Sequence, residues 1–190
     1  MPLKNDKPIA LVGLMGVGKT TVGRRLAKKL GREFDDSDDA IERASGRTVA
    51  GYFRDHGEAD FRNGEFRVIK RLLEHKEPMV IATGGGAFIH PPTRALLLEH
   101  ANVVWLKGDL AILVERVSRN DKRPLLAGTD KHQKMRELME ARHPIYAKAH
   151  LKVKIARGPH IRTVNRVIRA LKTLGPKEKL EPKPKTINAK

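Results

Sequence analysis

GLMGVGKTT, residues 13–21, places Gly13, Gly16 and Gly18 within six positions and follows them directly with Lys19, Thr20 and Thr21. An apolar stretch, PIALVGL (8–14), reads as a strand that runs into it, and Val22, Leu26 and Leu30 leave it at helical spacing until Gly31. The expectation is therefore a strand, a tight glycine turn and a helix. Glycines let successive backbone N–H groups converge on one point, and a helix N-terminus adds positive potential there, so the unit suits phosphate oxygens. Gly13, Gly18, Lys19 and Thr20 fit GxxxxGK[ST], the phosphate-binding loop of nucleoside triphosphate sites, in the strand-to-helix context which that motif requires. The segment Gly16, Val17, Gly18, Lys19, Thr20 and Thr21 is expected to bind a nucleoside triphosphate, with ATP as the default. Lys19 would reach the β- and γ-phosphates and the Thr20 hydroxyl would ligate Mg²⁺.

Four more short stretches read as strands: the weaker EFDDSD (33–38), then MVIATGG (79–85), NVVWLKG (102–108) and LKVKIA (151–156). Helical spacing fills the intervals. Leu110, Leu113, Val114 and Val117 follow Asp109, an N-cap candidate, and Ile161, Val164, Val167, Ile168, Leu171 and Leu174 form a last amphipathic helix with arginines on its other face. Strands alternating with helices imply right-handed crossovers and a mostly parallel sheet covered on both faces, with ligands beyond the carboxyl ends of the strands. The expected fold class is α/β, with residues 8–174 as one domain and no internal repeat.

Composition narrows the class of partner. The 190 residues contain no cysteine, which rules out disulfides and thiolate metal sites. No apolar run approaches the roughly 18 to 20 residues that span a bilayer, and MPLKNDKP lacks the apolar core of a secretory signal, so a soluble, cytoplasmic protein is expected. The formal charge is +17, but residues 151–190 hold twelve Lys and Arg against Glu178 and Glu181, a net +10. GPKEKLEPKPKTINAK, 175–190, has too few large apolar groups to offset its ordering entropy and reads as a disordered basic tail, as residues 1–7 read as a flexible N-terminus.

The acceptor side is less explicit. Asp36 and Asp38 stand two apart at the end of an expected strand, on one face and toward the edge where Thr20 sits. One carboxylate would hold the water shell of the metal while the other takes a hydroxyl proton. VIATGGG ends the third expected strand with Thr83, Gly84, Gly85 and Gly86 where such enzymes often carry a metal-binding aspartate, and Asp36 is available instead. The glycines would let a small ligand approach the backbone closely. Arg62, Arg123 and Arg142 are further candidates that spacing alone does not single out.

Together these residues resemble the shikimate kinase family, from about Ile9 to Leu174. The markers are GLMGVGKTTVGRRLA, FDDSDDAIE, GEADFRNGE, ATGGG, RPLL and RHPIY. The resemblance implies a three-layer P-loop fold of the nucleoside monophosphate kinase type, a five-stranded parallel sheet flanked by helices, plus a mobile lid near residues 119–131. It implies transfer of the γ-phosphoryl of ATP to the 3-hydroxyl of shikimate, on the route to chorismate and the aromatic amino acids. By that resemblance Asp38 meets the reacting hydroxyl, Asp36 supports Mg²⁺ through water, and Arg62 with Arg142 clamps the shikimate carboxylate. Gly84, Gly85 and Gly86 belong to the substrate site, Gly85 and Gly86 through backbone N–H, with Phe53 and Phe61 lining it and Glu65 orienting Arg62. Arg123 would lie on the bridging or γ-phosphate, and Arg116 with the loop around Pro159 would hold adenine. Two departures are mild: Thr20 where serine is common, and HPIY where leucine often precedes the tyrosine. A gluconate kinase would share the loop and the fold, and the +17 charge raises a nucleic-acid-binding alternative. The combination of ATGGG with Arg62 and Arg142 speaks against the first. Low aromatic content (4%) and the terminal position of the charge speak against the second. A monomer acting on small molecules is expected.

Overall fold

A computed structural model of the chain describes residues 6–118, 130–155 and 157–175. Arg123, nearly all of the expected lid at 119–131 and the tail beyond Gly175 lie outside the described residues. The elements run β1 (Ile9–Val12), α1 (Lys19–Leu30), β2 (Phe34–Asp36), α2 (Ser37–Ser45), α3 (Val49–Leu73), β3 (Val80–Ala82), α4 (Pro91–His100), β4 (Asn102–Lys107), α5 (Leu110–Ser118), α6 (Lys131–Tyr146), β5 (Leu151–Lys154) and α7 (His160–Leu171).

The five strands form one parallel sheet in the order β2-β3-β1-β4-β5. Its middle is apolar without alternation, because both faces are covered: Ile9 to Val12, Val80 to Ala82 and Val103 to Leu106 are all buried. Helices α1 and α7 pack together, as do α5 and α6. The register sets Leu11 beside Ala82 and Asp36 beside Ala82 from the other side, so β1, β2 and β3 end at one edge. The phosphate-binding loop, Asp36 and the glycine triplet all start there.

Several boundaries differ from expectation: the strands expected over 8–14, 79–85, 102–108 and 151–156 are Ile9–Val12, Val80–Ala82, Asn102–Lys107 and Leu151–Lys154. The strand expected over 33–38 is only Phe34–Asp36, since Asp36 caps a helix: its Oδ1 accepts the Asp38 N–H at 3.1 Å, and Asp38 and Asp39 complement the positive end of α2. Asp36 and Asp38 are therefore not neighbours on one strand face. Helix α7 ends at Leu171, with Leu174 still packed on the core beyond it. Helix α3 is interrupted at Gly57, where φ 77° and ψ 176° are open essentially to glycine alone, so its first turns set off in a different direction. Asp109 does precede α5, and its carboxylate meets Lys154 Nζ at 3.1 Å.

Candidate active site

Gly18 caps α1 in the left-handed conformation, φ 87°, which brings the loop's amides onto the helix N-terminus at low steric cost. Lys19 is folded over the loop, donating from Nζ to the carbonyls of Gly13 at 2.8 Å and Leu14 at 3.0 Å. The next residue reaches across to the neighbouring strand. Thr20 Oγ1 donates to Asp36 Oδ2 at 2.6 Å, which brings two hard oxygen donors together beside the lysine. Burial pushes the Asp36 carboxyl up, and the Thr20 hydroxyl and Asp38 N–H that it accepts pull it back.

The turn after β3 gathers the acceptor side. A Cβ on Gly84 would stand 2.6 Å from Asp38 Oδ1 and 3.0 Å from Glu65 Oε1, and one on Gly86 would fall on the Arg62 guanidinium. At Gly85 the nearest side-chain atom, Arg142 Nη1, would be 3.9 Å away, and that guanidinium donates to the Gly85 carbonyl at 3.3 Å. Three consecutive glycines thus face four functional side chains, Asp38, Glu65, Arg142 and Arg62. The glycines make room for the protein's own carboxylate and guanidinium as much as for a ligand.

Arg62 is tightly held. Its Nη1 donates to Glu65 Oε2 at 2.6 Å, Glu58 accepts from its other side at 3.3 Å, and the guanidinium lies over the rings of Phe61 and Phe53, which stack 4.2 Å apart. Glu65 has no exposed surface and its Oε1 accepts no hydrogen bond among the described residues. Burial pushes the Glu65 carboxyl up, with the Arg62 charge opposing. Asp38 is pushed up to about 6, first by burial and then by the Asp36 charge, against the pull of Lys19 and Arg62.

These groups line one cavity of about 670 Å³. Gly16, Gly18, Lys19, Thr20, Thr21, Asp36, Asp38, Phe53, Phe61, Arg62, Glu65, Gly84, Gly85, Gly86, Arg116 and Arg142 all border it. Arg116 donates to the Gly16 and Val17 carbonyls at 3.3 and 3.4 Å. Val17 is buried in the core beneath the loop, and Pro159 caps α7 just outside the lining. Met15, Val49, Thr83 and His160 also border the cavity, and the sequence assigned none of them a role there. His160 closes over Gly18, where its Cε1 would lie 3.2 Å from an added Cβ. A lone histidine after Gly-Pro carries no sequence signal for that place, because α1 and α7 meet only in the tertiary structure.

A model of the shikimate kinase family matches residues 15–172. A shikimate kinase of Caulobacter vibrioides is 51% identical over 166 residues, covering 87% of this chain and 82% of that protein. Among solved structures, a shikimate kinase from Acinetobacter baumannii in complex with shikimate superposes with a TM-score of 0.84 at 37% identity, over 94% of this chain and 98% of the other. A gluconokinase from Sinorhizobium meliloti also superposes, with a TM-score of 0.62 at 18% identity over 92% of this chain and 95% of the other. At that identity the likeness is one of fold.

Proposed function

Because this chain belongs to the shikimate kinase family, we propose that its cavity transfers the γ-phosphoryl group of ATP to the 3-hydroxyl of shikimate, giving shikimate 3-phosphate and ADP. The observation that carries this reading is the glycine triplet, which faces two carboxylates and two guanidinium groups in three consecutive residues. Arginine's planar fork matches a carboxylate bidentately, so Arg62 and Arg142 would fix an acidic ring and leave its hydroxyl at Asp38.

The phosphate oxygens of ATP would sit on the amides from Gly16 to Thr21, drawing Lys19 from the carbonyls it now holds. Thr20 Oγ1 and Asp36 Oδ2 are hard oxygen donors 2.6 Å apart, a set that suits Mg²⁺ carried mostly by water and phosphate. Bound there, the ion would neutralise charge on the β- and γ-phosphates. The shikimate oxygen bonds to the γ-phosphorus as the bond to the β–γ bridging oxygen breaks, ADP leaves with that electron pair, and Asp38 accepts the hydroxyl proton. The transition state of phosphoryl transfer is loose, so most of the acceleration should come from positioning and from the charges of Lys19 and Arg123. Arg123 and a lid near 119–131 enter from the family pattern, as does an adenine site at Arg116 and Pro159. We read the protein as a cytoplasmic monomer with 8–174 as its single domain. No described helix is long and apolar enough to cross a membrane.

Turnover with shikimate and gluconate side by side, each with ATP and Mg²⁺, tests the proposal. Shikimate should be preferred by at least about a hundredfold in kcat/KM, because its ring holds carboxylate and hydroxyl at a fixed separation, whereas the open chain of gluconate must be ordered to bring both to Arg62, Arg142 and Asp38. A preference for gluconate would overturn it.

A further inference from the structure

Arg142 and Tyr146 stand four residues apart on α6, hence on one face of the helix, and both reach the same acceptor. Tyr146 Oη donates to the Gly85 carbonyl at 2.5 Å, and Arg142 Nη1 donates to it at 3.3 Å. The tyrosine has little freedom to do anything else. It is 1% exposed, its ring stacks against Phe88 at 6.3 Å and Trp105 at 6.1 Å, and it is the last residue of its helix. We propose that Tyr146 is a positioning residue for the acceptor site: its hydroxyl fixes the Gly85–Gly86 peptide and, through the shared carbonyl, the guanidinium of Arg142.

Two consequences follow from that one bond. A trans peptide is planar, with C=O and N–H opposed, so pinning the Gly85 oxygen on Tyr146 turns the Gly86 N–H away from α6. The same carbonyl occupies one Arg142 N–H, which limits rotation of the fork and leaves its other donors for a carboxylate. Burial pushes the phenol up to about 12, so Tyr146 remains a donor across the working pH range. Preorganised donors bind an anion better than donors that must first be ordered, and the gain appears in ground-state affinity for the acceptor.

The inference rests on the reading of Arg142 as the carboxylate clamp, and the test separates the two. Tyr146→Phe keeps the stacked ring and removes only the hydroxyl. With shikimate as acceptor, KM for shikimate should rise about five- to tenfold, with kcat and KM for ATP within about twofold, as loss of one buried hydrogen bond to a backbone carbonyl predicts. In an Arg142→Ala background the same change should add less than about twofold, since its effect runs through the arginine. Hydrogen exchange should also quicken in the peptide covering Thr83 to Ile89 and stay unchanged in α1, whatever the acceptor. An unchanged KM, full additivity with Arg142→Ala, unaltered exchange, or a Phe variant that does not fold would each overturn the proposal. Wild-type protein that fails to phosphorylate shikimate, with exchange altered as described, would instead overturn the functional reading and leave the Tyr146 contact standing.

Discussion

Burial and the charge of Asp36 push the Asp38 carboxyl up to about 6, and that displacement governs both chemistry and stability. A base with a pKa just below neutrality is ionised at working pH yet still takes up a proton readily. The kcat/KM for shikimate should fall tenfold per pH unit below about 6, checked by a pH–rate profile at saturating ATP. The folded state holds this proton more tightly than the unfolded chain, whose carboxyl keeps its ordinary value of 3.8, so stability falls as pH rises from 3.8 through about 6. Asp38→Asn removes the penalty with the charge. At about 1.4 kcal/mol per pH unit of displacement, the variant should be stabilised at pH 7.5 by on the order of 2 to 3 kcal/mol. Its Tm should exceed wild type by several degrees at pH 7.5 and by nothing near pH 4, measured without nucleotide. Turnover should fall at least about a hundredfold with nucleotide binding intact, as removal of a general base predicts. Equal melting at both pH values would contradict the burial account.

At the scale of the element, the turn after β3 is where steric and chemical demands coincide. Alanine at position 86 must displace the Arg62 guanidinium, and at position 84 it must push against Asp38 Oδ1 and the buried Glu65, whereas at position 85 it meets only ordinary contacts. Gly86→Ala and Gly84→Ala should each raise KM for shikimate or lower kcat at least about tenfold, the scale of a lost charge-assisted contact. Gly85→Ala should stay within about threefold, since contacts near 4 Å cost little. Steady-state kinetics of the three variants checks the order, and equal effects would assign the glycines to backbone conformation instead. The paired start of α2 belongs to this scale too. Asp36 ends a strand, caps a helix and meets Thr20, so substituting it would disturb local structure and site together.

At the scale of the whole molecule, the domain is closed by α7, whose Val164, Val167 and Leu171 join the core and whose Leu174 packs against it just before Gly175. The family match ends at residue 172. Deleting 176–190 should therefore leave Tm within about 2 °C and kcat/KM within about twofold, because every described core residue and the whole family match are retained; a larger loss would give those residues a role in the fold or the site. The alternation of apolar strands with amphipathic helices determined the α/β architecture in advance, since a strand buried on both faces must be apolar throughout and its covering helices cannot be. GLMGVGKTT likewise determined the phosphate-binding loop, because its glycines, lysine and threonine act within one local turn. Period-two spacing placed Asp36 and Asp38 on one strand, yet the Asp36 side chain caps a helix there, a contact spanning only two residues that the strand reading passed over. Distance in the chain hid the rest. The resemblance named Arg62, Glu65 and Arg142, but only the packing of α3 and α6 on the β3 turn brought them to Gly84, Gly85 and Gly86. His160 and Tyr146 reached the site by the same route. Local backbone chemistry is written in adjacent residues, whereas a site assembled from seven segments is decided by how their apolar faces pack.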